Sequence, residues 1–241
     1  MTTKTEWIEA LGEERTTLGR ASTAGRVADV LRTRITEGLL EPGTRLSEEE
    51  IGAALGVSRN TLREAFRLLT HERLLVHEFN RGVFVRELSL EDVRDLYSFR
   101  RIVECGAIAR SRQRRDRGGA ATGPAGLAAV RQAVEAGEAA ALDGRWADVG
   151  TANMQFHRAV AALAESPRID ESMRLVLAEL RLVFHVMAAP QTFHEPYLAD
   201  NRRILELLEA GDLDGAERAL ATYLDAAEAQ LAAAYGVGAR G

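Results

Sequence analysis

Three arginines stand four residues apart, Arg59, Arg63 and Arg67, with Ser58, Asn60 and Thr61 around the first of them. On a helix, positions four apart share one face. A row of guanidinium groups on such a face can bond phosphate oxygens or grip guanine O6 and N7 bidentately. Two further basic positions flank the row: Arg45, just upstream, and Arg81, which is followed by Gly82. Gly82 would let the backbone come close to a phosphate or to the minor groove. The plainer alternative is a solvated arginine face on a helical hairpin, in a chain where arginine is abundant.

These side chains need a scaffold, and residues 47–70, SEEEIGAALGVSRNTLREAFRLLT, read as two short helices joined by a tight turn. Ser47, with Glu50 three residues on, has the pattern of a capping box. Ile51, Ala54 and Leu55 follow at helical spacing. Gly56 stops the first helix in a left-handed conformation, and Val57 plugs the angle between the two. Ser58 caps the second helix, whose inward stripe is Leu62, Ala65, Phe66 and Leu69. This is a helix-turn-helix, with Arg59 and Arg63 pointing from its recognition helix. Next, Leu74–Phe79 and Val83–Arg86 read as two strands around an Asn80-Arg81-Gly82 turn. Such a hairpin is a wing able to lie along a DNA backbone, and it favours DNA over the plainer reading. Upstream, a helix begins near Ser22 with Val27, Val30, Leu31 and Ile35 inward, and ends at Gly38. Residues 1–20 read as a loosely ordered arm in which Trp7, Ile8 and Leu11 could form a short amphipathic turn.

At 241 residues the chain has room for one or two domains. Its net charge of −5 excludes a globally basic nucleic-acid coat, so any DNA affinity must be local. Residues 58–70 carry three arginines against one glutamate, Glu64. The lone Cys105 excludes an intramolecular disulfide, fits a reducing compartment and is expected to be a small buried residue. No apolar run approaches the ~18 residues of a membrane span, and Met1–Glu14 has no basic-then-apolar signal pattern. The expected location is the cytoplasm.

From Ser89 onward the chain reads as almost all helix. Ser89 with Asp92 opens a helix carrying Val93, Leu96, Phe99, Ile102 and Val103 and running toward Arg112. Arg114 to Gly119 and Gly123 to Gly126 form a polar, glycine-rich connection whose arginines are expected to be a solvated helix end. Helices follow over 127–142, 146–164, 168–188 (ended by Pro190), 193–210 and 212–234. The expected architecture is mainly α: an N-terminal winged helix-turn-helix over 21–88, then an all-helical bundle of six or so helices over 89–241.

Residues 23–86 resemble the winged helix-turn-helix of the GntR family of bacterial transcription regulators. The resemblance is carried by Pro42-Gly43-Thr44-Arg45-Leu46-Ser47, Leu55-Gly56-Val57-Ser58-Arg59, Leu62-Arg63-Glu64-Ala65 and Asn80-Arg81-Gly82. It implies DNA contact by Arg45, Arg59 and Arg63, with Gly82 as the wing glycine. Residues 89–235 more loosely resemble the FCD effector-binding domain of the FadR-like branch. Asp95-Leu96-Tyr97, Arg100 to Glu104, Phe156-His157-Arg158, Asn201-Arg202-Arg203-Ile204 and Gly211-Asp212 carry this match.

Members of that branch often hold a divalent metal with one Asp and three His, the Asp four residues before the first His on one helix. Here the Asp position is Asn153, the first His is His157, and the other two positions are Asn201 and Tyr223. Asn and neutral Tyr are poor ligands for zinc-like ions. The expectation is therefore a pocket without a metal cofactor, in which Asn153, His157, Asn201 and Tyr223 bind the effector; alternatively, they satisfy one another in the core. The resemblance also turns Arg100 toward the cavity, where it would hold an effector carboxylate bidentately. Its alternative partner is Glu104, four residues on. His185 and His194 fit no liganding pattern and are expected at the surface or at helix ends. An all-α metalloenzyme would need a fuller ligand set, and a purely architectural DNA-binding protein would need no effector cavity. The reading that remains is a non-enzymatic, homodimeric, effector-responsive regulator on a pseudo-palindromic operator.

Overall fold

The computed structural model describes residues 15–36, 39–118, 124–184 and 190–238; Trp7, Ile8, Leu11, Gly38 and His185 lie outside the described residues. The chain forms two compact units that part between Glu87 and Leu88.

In the first unit, α1 (Arg15–Thr36) packs against α3 (Arg59–His71) through Ala24, Val27, Ala28, Leu31 and Ile35. Val30, expected inward, is exposed: at 3.6 residues per turn it sits roughly 115° from the centre of that stripe. Arg32 ties α1 to the end of α3, its Nε and Nη2 donating to the two Glu72 carboxylate oxygens at 2.6 and 2.8 Å. Between them, α2 (Glu48–Leu55) corrects the expected face. Ile51 is half-buried, Ala54 and Leu55 are exposed, and the buried residue is Gly52. Gly52 faces the turn and α3: a Cβ there would lie 3.5 Å from the Val57 carbonyl oxygen and 4.0 Å from Leu62 Cδ2.

The sheet has three antiparallel strands, β1 (Arg45–Leu46), β2 (Leu75–Glu78) and β3 (Gly82–Val85), in the order β1-β3-β2. The hairpin was legible in the sequence; the third strand comes from the segment around Pro42-Gly43, read there only as extended.

The second unit contains α4 (Leu90–Asp116), α5 (Pro124–Leu142), α6 (Trp146–Ala162), α7 (Pro167–Phe184), α8 (Pro190–Glu209) and α9 (Leu213–Gly238). Helix α6 is central: it packs on α4, α5, α7 and α8, while α9 packs on α4 and α8. Ser89 and Asp92 close a full capping box at the start of α4. The buried stripe of α4 is Val93, Leu96, Tyr97, Arg100, Glu104, Ala107, Ile108 and Ser111. Phe99 and Ile102, expected inside, are exposed, Ile102 by 72%. The apolar residues lost those places to an arginine and a glutamate that neutralise each other. The arginine run at the end of α4 also departs from expectation, because Arg114 Nη2 donates to the Leu163 carbonyl at 2.6 Å and Arg115 Nη1 to the Gly211 carbonyl at 2.8 Å. Both close the carbonyl ends of neighbouring helices.

Pro190 opens α8 instead of only ending α7, consistent with proline's fitness for a first helical turn. Pro196, inside α8, cannot donate to the carbonyl four residues back; that carbonyl, Thr192 O, accepts from Gln230 Nε2 at 3.4 Å. Cys105 is half-buried rather than buried, and burial pushes its thiol up to about 11. Among the described residues, no helix is long and apolar enough to cross a membrane.

Candidate functional site

Local chemistry sets up the arginine face. Ser58 Oγ accepts from the Thr61 N–H at 3.2 Å and bonds the Thr61 hydroxyl at 2.8 Å, fixing the start of α3. Ser47 does the same for α2 by accepting from the Glu50 N–H at 3.3 Å, and Gly56 ends α2 at φ +65°. Leu62, Ala65, Phe66 and Leu69 are all buried, so α3 is seated with Arg59, Asn60, Arg63 and Arg67 exposed.

Between α2, α3 and the sheet runs a groove of about 650 Å³ lined by Arg45, Arg59, Arg63, His77, Gly82 and the acidic start of α2. Four of the expected DNA-contacting residues thus converge in one concavity. Gly82, at φ +113°, has a second function: a Cβ there would lie 3.4 Å from Arg45 Nε, so the missing side chain leaves room for the Arg45 guanidinium over the wing. Arg81, by contrast, pairs with Glu78, and its Cζ lies 5.3 Å from the centre of the Phe84 ring. Arg67 pairs with Glu64 at 3.0 Å.

Two groove residues escaped the sequence reading. His77 enters because strand register sets it opposite Val83. Glu48 holds Arg63, whose Nε lies 3.0 Å from both carboxylate oxygens. Acidic residues in a first helical turn are favoured by the helix dipole, and here one of them also serves as counter-ion to a recognition-helix arginine.

In the second unit, the five expected effector residues form one buried chain. Arg100 Nε donates to Glu104 Oε1 at 2.8 Å, and His157 Nδ1 lies 2.7 Å from Glu104 Oε2. His157 Nε2 lies 3.1 Å from the Tyr223 hydroxyl, which is 3.0 Å from Asn153 Oδ1, and Asn201 Nδ2 donates to that same oxygen at 2.8 Å. The Arg100 guanidinium also stacks on Tyr97, with Cζ 4.9 Å from the ring centre. Burial opposes a charge on Glu104, but His157 and Arg100 more than offset it and hold the carboxyl below its ordinary range. Burial and the Arg100 charge lower His157, against the pull of Glu104. With the imidazole neutral, Arg100 is the cation that keeps Glu104 ionised. His157 then donates from Nδ1 and accepts at Nε2, and the single Tyr223 proton serves either His157 or Asn153.

This donor set does not fit a divalent ion. Both His157 nitrogens are engaged, the two asparagines bond each other, and burial holds Tyr223 well above its ordinary value, as the neutral phenol. Among the described residues, no group of three His, Cys, Asp or Glu could hold a metal. Glu104, the link of the chain, was visible in the sequence only as a possible partner of Arg100. His194, expected at the surface or at a helix end, stands near the start of α8 but is only 4% exposed, edge-on to the Phe184 and Phe193 rings.

Residues 23–85 match the family model of bacterial regulatory proteins, gntR family, and residues 95–226 match that of the FCD domain. The chain belongs to the GntR family and carries an FCD domain. This GntR-family regulator is 46% identical to a putative transcriptional regulator GntR from Rhodococcus sp. RHA1, whose structure superposes with a TM-score of 0.79 over 87% of this chain and 97% of that one. McbR/YncC of E. coli shares the fold, with a TM-score of 0.72 over 88% and 98% of the two chains at 21% identity. A probable D-xylose utilization operon transcriptional repressor of Paenarthrobacter nicotinovorans is 29% identical over 211 residues, 87% of this chain and 88% of the relative. The gluconate operon transcriptional repressor of Bacillus subtilis is 41% identical over 87 residues, only 36% of this chain and 35% of that protein. The GntR-family regulator is accordingly a DNA-binding transcriptional regulator, and the relatives named above are described as transcriptional regulators or repressors, not enzymes.

Proposed function

We propose that this regulator is a cytoplasmic homodimer that binds a pseudo-palindromic operator through its arginine groove and is controlled by a small carboxylate effector held in the helical unit. The observation that carries the DNA half is the groove in which Arg45, Arg59 and Arg63 converge beside Gly82. Ser58, Asn60 and Thr61 at the start of α3 and Arg81 at the wing turn complete the contact set. One winged helix covers one half-site, so a two-fold dimer follows from the operator geometry. On DNA, Arg63 exchanges the Glu48 carboxylate for a phosphate or a base edge. The effector half is supported by the buried polar chain of Arg100, His157, Tyr223, Asn153 and Asn201, whose amides and phenol lack the donors for a metal. In it, Arg100 acts through Glu104 to orient His157. Arg63→Ala should weaken operator binding roughly ten- to hundred-fold and relax sequence preference. A gel shift on the native operator checks it; unchanged affinity would remove Arg63 from the recognition set.

A further inference from the structure

Helix α4 carries charge on its buried side and apolar residues on its outer side, the reverse of an ordinary surface helix. At 3.6 residues per turn, Ile102 falls roughly opposite the centre of the buried stripe, and Asp95, Phe99, Gly106 and Arg110 fall within roughly 80° to one side of it. All five residues are exposed. The flank on the other side of Ile102 is already taken: Arg101 pairs with Asp225, and Arg112 with Asp214 and Glu217, all on α9.

Single exposed apolar side chains are ordinary. The order of these five residues is not. Phe99 and Gly106 stand three residues before Ile102 and four after it; Asp95 and Arg110 stand seven before and eight after. The stripe is therefore nearly symmetric about Ile102, with a bulky ring answered by a gap and an acid answered by a base. The gap is open, since a Cβ on Gly106 would meet nothing within 4 Å. Among the described residues, neither Asp95 nor Arg110 has an ion-pair partner. A surface on which one position answers another reciprocally is what an isologous two-fold contact requires.

We propose that this face of α4 is the interface of a homodimer, in which α4 of a second copy lies antiparallel across it with Ile102 beside the two-fold axis. Reversing the helix about that axis keeps each residue on its own side of the seam. Phe99 then lies over the partner's Gly106, and Asp95 meets the partner's Arg110; symmetry makes each contact twice. The two Ile102 side chains close the centre against each other and against Val103. This rests on the homodimer reading above and names the surface that carries it.

The test measures the self-association of the full chain by sedimentation equilibrium over a concentration series, with helix content followed by circular dichroism. The wild type should be a dimer. Ile102→Glu places two carboxylates at the axis and should weaken the dimer roughly a hundred-fold, with helix content unchanged because the side chain is exposed. Asp95→Arg and Arg110→Asp should each weaken it roughly ten-fold by setting like charges opposite each other, and the double variant should restore wild-type affinity. Within one chain the two positions lie roughly 22 Å apart along the helix, so only a reversed second copy can supply that rescue. The charge swap changes exposed side chains and decides independently of how Ile102→Glu folds. A dimer of wild-type affinity in Ile102→Glu, or a double variant no tighter than the single ones, would overturn this interface and leave the homodimer reading standing. A monomeric wild type would overturn both.

Discussion

Arg63 and Arg100 are each bonded to a glutamate, at 3.0 and 2.8 Å, yet the two pairs are different devices. The Arg63 side chain is 61% exposed and Arg100 only 1%. Water and salt compete with the exposed pair, so it contributes little to stability and its arginine can leave for a better anion. The buried pair has no solvent to fall back on, so each charge is compensated by the other and not by water. One chain thus uses the same two residue types as an exchangeable contact in its DNA-binding unit and as a fixed brace in its helical unit.

The sharpest way to break this comparison is to remove each glutamate. Glu104→Ala strands a buried guanidinium and should cost about 3–5 kcal/mol in urea denaturation. Glu48→Ala should leave stability as it was and operator affinity equal or higher, because Arg63 is then free. Comparable losses from the two substitutions would show that burial is not what separates them.

A second test extends the comparison to a buried group with no ion pair. Unfolded, His194 takes up its proton near the ordinary value of 6.5; folded, it holds out to about 4. Protons therefore favour the unfolded chain in that window. Stability should be fully present above pH 6.5 and fall as pH drops toward about 4, by on the order of 3 kcal/mol. His157, also lowered by burial, acts in the same direction. His194→Phe should flatten much of this slope when unfolding free energy is measured against pH; an unchanged slope would place the acid sensitivity elsewhere.

The smallest expected effect is that of a chelator. With two amides and a neutral phenol beside His157 in the buried chain, EDTA should leave melting temperature and operator affinity unchanged, and metal analysis should find no stoichiometric zinc, nickel or manganese. A melting temperature that falls with EDTA, together with metal lost on His157→Ala, would show that the buried chain is a ligand set after all.

The local parts of this structure were legible before any coordinates. The caps at Ser47, Ser58 and Ser89, the left-handed Gly56 and the buried stripe of α3 all depend on residues within one or two turns of each other. Pattern and chemistry over such short spans are enough to specify a helix-turn-helix and its arginine face. Apolar periodicity failed on α4 because it assumes that charges stay outside. Arg100 and Glu104 enter the core only because α6 and α9 bring His157 and Tyr223 to the same place. Gly52 against the turn and α3, Glu48 against Arg63, and Arg181 of α7 beside Thr151 of α6 likewise join residues from different elements. The sequence by itself determined most of the elements, their caps and the arginine face of α3. Tertiary structure alone decided which charges are neutralised and which are left open, because the cost of a charge is set by the groups that packing brings against it, and those are distant in the chain.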